Sequence, residues 1–195
     1  MDDKTFFDKI APTWDENEVL STSEKVNGIL DLMDINLGQR ILDLGTGTGV
    51  LLPFLTERIG KKGQITAVDF SSGMLDIAKR KFQNLSPAPL FLNLDFENET
   101  IPGEYDRIIL YCVYPHLHEP IETLKWLKNV NLKSGGKIFI AFPCGPDFIN
   151  NIHKEKKSES HKLPSASSLK TIICESGLKA EVKGDDDNTF LIEIS

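Results

Sequence analysis

Ile41-Leu42-Asp43-Leu44-Gly45-Thr46-Gly47-Thr48-Gly49 is the stretch on which the fold of this chain turns. A short, mostly apolar run leads straight into three glycines, the pattern of a buried strand ending in a tight turn. About twenty residues later, Ile65-Thr66-Ala67-Val68-Asp69-Phe70 repeats the apolar run and ends in a lone Asp. A glycine turn after one strand and a carboxylate after the next is how an open α/β sheet builds a nucleotide crevice.

The same glycines argue against two other phosphate sites. A dinucleotide fingerprint, G-x-G-x-x-G, needs its last glycine where Val50 stands, and no Gly-Lys-Ser or Gly-Lys-Thr marks a P-loop. Asp43 places a carboxylate beside the turn, which is unfavourable next to a pyrophosphate and suits a zwitterionic or cationic ligand. Asp69 is placed to accept hydrogen bonds from a ribose diol. The bland reading of residues 45–49 is a tight turn and nothing more; Asp69 and the order of later strands favour the crevice.

Outward from this stretch, strands are expected at residues 41–44, 65–68, 90–92, 107–110 and 137–142, with helices at 50–59, 72–82 and 121–132 between them. That alternation implies right-handed crossovers and a mainly parallel sheet. Residues 132–136 read as a helix stop feeding the fifth strand. Residues 168–175 read as a helix ended by Gly177. Residues 179–183 and 189–194 flank Gly184-Asp185-Asp186-Asp187-Asn188 as an antiparallel hairpin. The expected fold is a three-layer, Rossmann-like α/β sandwich with a mainly parallel seven-stranded sheet and an antiparallel C-terminal edge hairpin.

One domain is expected over residues 1–195. Residues 1–35 form an N-terminal lid and helix. The helix, residues 21–33, has capping-box spacing at Ser21 and Glu24 and places Val26, Ile29, Leu30 and Met33 on one face. The lid carries Phe6, Phe7, Ile10, Ala11 and Trp14, interrupted by Pro12 and too short for a core of its own. Residues 144–164 form a variable segment, of which 150–161 is charged and expected as a solvated loop or short exposed helix.

The chain carries 22 basic and 29 acidic residues, a formal charge of −7. An acidic chain with no dense basic patch makes nucleic acid an unlikely partner. The N-terminus lacks the features of a secretory signal, and no run is long enough to span a bilayer. Cys112, Cys144 and Cys174 are odd in number and far apart, which fits thiols in a reducing compartment and places the protein in the cytoplasm.

Asp43-Leu44-Gly45-Thr46-Gly47-Thr48-Gly49, Asp69 and Leu132-Lys133-Ser134-Gly135-Gly136-Lys137 resemble class I S-adenosylmethionine-dependent methyltransferases. Phe7-Asp8-Lys9-Ile10-Ala11-Pro12-Thr13-Trp14-Asp15 extends the resemblance to small-molecule members related to the ubiquinone and menaquinone methyltransferases. The resemblance implies S-adenosylmethionine as cofactor and a role for each matching position. Gly45, Thr46, Gly47 and Gly49 would line its methionine and ribose portions, with Asp43 orienting that region. Asp69 would hold the ribose hydroxyls, Phe70 would border adenine, and Asp95 and Phe96 would meet the adenine edge. Tyr111 would lie near the methionine portion, and the segment around Trp14 would close the crevice. Phe70 reads equally as packing, and Asp95 as a cap of the turn after the third strand.

On the acceptor side, Tyr111-Cys112-Val113-Tyr114-Pro115-His116-Leu117-His118 follows the fourth strand on the ligand edge. Catalytic candidates are His116, Tyr111 and His161. His116 reads either as a general base or as a structural histidine that anchors its loop. His161, before Pro164, reads as an inward-facing acceptor residue or an ordinary helix entry. His153 and His161 lack compact ligand spacing and no Cys accompanies them at short range, so no metal site is expected.

The expected reaction is methyl transfer to a small-molecule acceptor by direct nucleophilic displacement. The alternatives are a non-catalytic S-adenosylmethionine-binding or regulatory protein, or a methyltransferase acting on protein or RNA. No Asn-Pro-Pro-Tyr or Asp-Pro-Pro-Tyr motif follows the fourth strand, which argues against adenine N-methylation.

Overall fold

The computed structural model describes residues 3–17, 21–155 and 162–195. The segment ahead of the sheet forms helix α1 (Asp3–Ile10), a 3-10 turn (Ala11–Thr13), α2 (Trp14–Asn17) and α3 (Ser23–Asp31). Then follow β1 (Arg40–Leu44), α4 (Leu52–Ile59), β2 (Gln64–Asp69), α5 (Ser72–Phe82), β3 (Leu90–Asn93) and β4 (Tyr105–Tyr111). After a 3-10 turn (Tyr114–His116) come α6 (Pro120–Trp126), a π-type turn (Leu127–Asn131) and β5 (Leu132–Phe142). Helices α7 (Pro146–Glu155) and α8 (Ala166–Glu175) precede the hairpin β6 (Ala180–Asp186) and β7 (Thr189–Ile194).

These strands form one seven-stranded sheet in the order β3-β2-β1-β4-β5-β7-β6. The first five are parallel, and β7 runs antiparallel to both β5 and β6. Successive strand residues face opposite sides, so the apolar runs serve two cores. Leu42, Leu44, Ile108, Leu110, Ile138 and Ile140 pack with Leu124 of α6 and Leu169 and Ile173 of α8. Ile41, Ile65, Ile109 and Phe139 pack on the other face with Ile29 and Leu30 of α3 and Leu52 and Leu55 of α4. The three layers are those expected. Because β2 and β4 flank β1 on opposite sides, a crevice opens at the carboxyl end of β1.

Several boundaries differ from expectation for local reasons. Helix α3 is capped by Thr22, whose extended backbone lets its hydroxyl accept from the Lys25 N–H. Ser21 instead bonds the Tyr111 hydroxyl at 2.9 Å. The helix expected over 121–132 breaks at Trp126 into the wider π-type turn. Residues 132–136 are not a helix stop but the start of β5, paired out of step with β4, with Leu132 opposite Tyr105 and Lys137 opposite Arg107. Gly184, Asp185 and Asp186 belong to β6 rather than to the turn, with a register shift at Val182/Gly184 taking up the slack. In the charged segment, α7 runs to Glu155, and residues 156–161 lie outside the described residues.

Candidate functional site

Between β1 and α4 the chain makes the glycine turn at the switch point. Gly45 and Gly47 both adopt positive φ, at 67° and 55°. The reasons for glycine differ. A Cβ on Gly45 would collide with Val113 Cγ2 in the loop after β4, whereas nothing lies within 4 Å of the Cβ position on Gly47. Gly45 lets the two loops interlock, and Gly47 leaves its face open to a ligand.

Two buried carboxylates flank this turn. Asp43 is 1% exposed and accepts a 2.7 Å hydrogen bond from Thr46 Oγ1. Burial pushes its carboxyl up to about 7 against the opposing Thr46 bond, and the Asp69 charge adds to the rise. Asp69, 4% exposed at the end of β2, accepts from Gly47 N and Ser71 N, both at 2.8 Å. Burial carries it up to about 6, against those two backbone bonds and with a contribution from Asp8. Each Asp69 oxygen has two lone pairs, so it keeps acceptor capacity for a ligand hydroxyl.

The N-terminal segment lies across the turn. Phe7 makes edge-on ring contacts with Trp14 and Phe70 at 5.9 Å and with His116 at 5.2 Å. Asp8 Oδ1 accepts from Ser71 Oγ and Gly73 N at 2.6 and 2.9 Å. Asp15 accepts from Thr48 Oγ1 at 2.6 Å and Lys81 Nζ at 2.9 Å. Burial works against the charged form of Asp15, but the Thr48 and Lys81 contacts prevail and hold it below the usual carboxylate range.

After β3, Asp95 fastens its own turn. Its carboxylate accepts from Glu97 N and Asn98 Nδ2, and its carbonyl from Asn98 N and Glu99 N. Phe96 is 7% exposed and packs into the core on the α6 and α8 side. Glu97 accepts from the N–H groups of His118 and Glu119, from Thr123 Oγ1 and from the His118 ring. Although burial opposes it, those bonds hold Glu97 below its ordinary range, and the Glu97 carboxylate raises His118.

Tyr111 ends β4 with its ring in the core on the α3 side and its hydroxyl on Ser21. The next residue, Cys112, has φ 59°, a left-handed conformation costly for a side chain with a Cβ and recurrent where loops line sites. His116 Nδ1 lies 3.3 Å from Asp3 Oδ2. Its ring is therefore tied to the N-terminal segment on two sides, by Asp3 and by Phe7.

Asp43, Thr46, Gly47 and Asp69 meet at the glycine turn, and Phe7 joins Trp14, Phe70 and His116 into one aromatic cluster. His161 lies outside the described residues. Sequence reading assigned no role to Ser71, Asp8, Asp15 or Glu97. Asp8 and Asp15 stand in the Phe7–Asp15 run, a signal of place; Glu97 bonds residues more than twenty positions away and left none. Among the described residues, no group of three His, Cys, Asp or Glu side chains is arranged to hold a metal ion.

Residues 41–136 match a family model described as a methyltransferase domain. A crystal structure of an S-adenosylmethionine-dependent methyltransferase from Aquifex aeolicus superimposes with TM-score 0.73, at 21% identity, over 100% of this chain and 98% of that one. The fold is that of a class I methyltransferase. A complex titled DhpI-SAM-HEP superimposes with TM-score 0.75, at 15% identity, over 98% and 94% of the two chains. In sequence, demethylmenaquinone methyltransferase of Staphylococcus epidermidis is 29% identical over 142 residues, covering 69% of this chain and 57% of that protein. The chain spans about half the length of the curated relatives it matches. No helix among the described residues is long and apolar enough to cross a membrane.

Proposed function

We propose that this chain binds S-adenosylmethionine in the crevice and transfers its methyl group to a small-molecule acceptor by direct nucleophilic displacement. The observation that carries the reading is the pair of buried carboxylates, Asp43 and Asp69, both raised by burial and neither eased by a basic side chain among the described residues. A ligand that brings positive charge and hydroxyl donors supplies what these groups lack. The open face of Gly47 gives such a ligand close access to the backbone. The residues present therefore fit the cofactor.

When bound, S-adenosylmethionine supplies a methyl group made electrophilic by its sulfonium. The chain's own residues bind, align and dry the site. Asp69 accepts from the ribose hydroxyls while Gly47 and Ser71 hold its plane. Asp43 and Thr46 orient the methionine end, with Gly45, Gly49 and Tyr111 lining it. Phe70, Asp95 and Phe96 border adenine. Trp14 and Phe7 cover the crevice and exclude water, so that acceptor, methyl and sulfur are held in line.

On the acceptor side we assign His116 to anchoring rather than proton transfer, because Asp3 and Phe7 already hold its ring. The segment 144–164 is assigned to the acceptor side, and its candidate His161 lies outside the described residues. Similarity to quinone methyltransferases supports a quinone-like or phenolic acceptor. A phenolic oxygen gives up its proton in order to attack, and attack by a ring carbon likewise ends with loss of the proton on that carbon.

Calorimetry with S-adenosylmethionine, S-adenosylhomocysteine and NAD tests the cofactor, with the first two expected to bind and NAD not. Binding of NAD alone overturns the reading. A small-molecule methylation screen then tests turnover; intact cofactor binding with no methylated product overturns the catalytic reading in favour of a binding protein.

A further inference from the structure

We propose that Asp8 and Asp15 are positioning residues that fasten the N-terminal segment over the crevice, so that the cofactor enters and leaves only when both fasteners release. This rests on the cofactor reading above. Asp8 sits on the amino end of α5, where its Oδ1 accepts from Ser71 Oγ and Gly73 N. Ser71 is fully buried, and its own N–H goes to Asp69. A single serine thus joins the first fastener to the ribose-binding carboxylate.

Asp15 makes the second fastener at the other side of the turn. One of its oxygens takes Thr48 of the glycine turn and the other takes Lys81 of α5. Between the two fasteners the segment rests on bare backbone. A Cβ on Gly73 would lie 3.2 Å from both Asp8 O and Asp8 Oδ1 and 3.3 Å from Ala11 Cβ. The segment sits this close only because residue 73 has no side chain.

With both fasteners made, Asp43, Thr46, Thr48 and Asp69 are all under 5% exposed. Asp8 rests on Ser71, two residues past Asp69, and Asp15 on Thr48 of the glycine turn, so the segment lies across the mouth of the crevice and must lift and reseat in each exchange. The fasteners suit that duty. They are a few charge-assisted hydrogen bonds beside the ring contact of Phe7 with Phe70, and the Lys81–Asp15 pair is half-exposed, so they break without disturbing the core.

Stopped-flow fluorescence of Trp14 in a Trp126→Phe background, with S-adenosylhomocysteine as the probe, tests the gate. Asp8→Ala and Asp15→Ala are each expected to raise association and dissociation rates about tenfold or more, since each removes two hydrogen bonds to a charged group. Gly73→Ala is expected to act in the same direction while leaving both carboxylates in place. Asp8→Asn keeps an acceptor oxygen and should restore most of the slow exchange. Amide hydrogen exchange over residues 3–17 of the ligand-free variants should rise in parallel. Unchanged rates in all three disruptive variants overturn the gate alone, as does faster dissociation with unchanged association. Failure of the unmutated protein to bind the probe overturns the cofactor reading and the gate with it, and unaltered hydrogen exchange then shows separately that the fasteners do not hold the segment.

Discussion

On the proposed donor side of the crevice, Asp69 is gripped by the backbone amides of Gly47 and Ser71, whereas on the proposed acceptor side His116 is gripped by the side chains of Asp3 and Phe7. The donor grip spans 22 residues or fewer and depends on turns that only certain residues can make. The acceptor grip reaches across 113 positions and depends on where an unrelated helix lands. A backbone-built site tolerates few changes and is tied to its ligand by geometry. A site built from distant side chains is free to vary with its acceptor.

The sharpest way to break the donor side is Gly45→Ala. The new methyl collides with Val113 and the residue must hold φ 67°, so a loss of about 3 kcal/mol in denaturant-measured stability is expected. Val113→Ala in the same chain should recover part of it, and full additivity would show that the two loops do not interlock. Asp69→Ala comes next. It should weaken S-adenosylhomocysteine by roughly 1 to 3 kcal/mol in calorimetry, and unchanged affinity would remove Asp69 from the ribose.

The buried carboxylates also set a pH dependence. Asp43 and Asp69 are raised to about 7 and about 6, so the fold binds protons that the unfolded chain releases near pH 4. The stability they contribute is fully present below about pH 4 and is lost as pH rises through 6 and 7. The melting temperature of the ligand-free protein should therefore fall between pH 5 and pH 8 on their account. Asp43→Asn, which mimics the neutral acid, should flatten the fall, and an unchanged slope would contradict the assignment.

The smallest effect is expected on the acceptor side. His116→Gln should cost under about 1 kcal/mol in stability, as expected for loss of a partly exposed polar pair, and should leave cofactor affinity intact. Turnover on an acceptor found by screening should fall only modestly. A collapse of turnover with affinity unchanged would restore His116 as a general base and erase the contrast between the two sides.

Legibility in the sequence follows the same division. Helix α5 was bounded at Ser72–Phe82 by its periodicity, and the five parallel strands were each visible as apolar runs between breakers. Asp69 was legible because it ends such a run. Residues 132–136 were misread because Ser-Gly-Gly signals a break, and only pairing with β4 shows that the chain is already in the sheet there. Ser21 was misread as a cap because the hydroxyl of Thr22 satisfies the same local rule and Tyr111 takes Ser21. Asp95 carried two readings, as a cap of the turn after β3 and as an adenine contact, and its bonds to residues 97–99 bear on the first alone.

By itself the sequence determined the layered α/β fold, the glycine turn and the carboxylate that follows the second strand. Those features depend on periodicity and on backbone conformations open to few residue types, so neighbouring residues suffice to specify them. Only the tertiary structure decided that Asp8 and Asp15 clasp the turn, that Val113 demands glycine at position 45, and that His116 leans on Asp3. Each of those contacts joins residues distant along the chain, and no local spacing encodes which surfaces folding will press together.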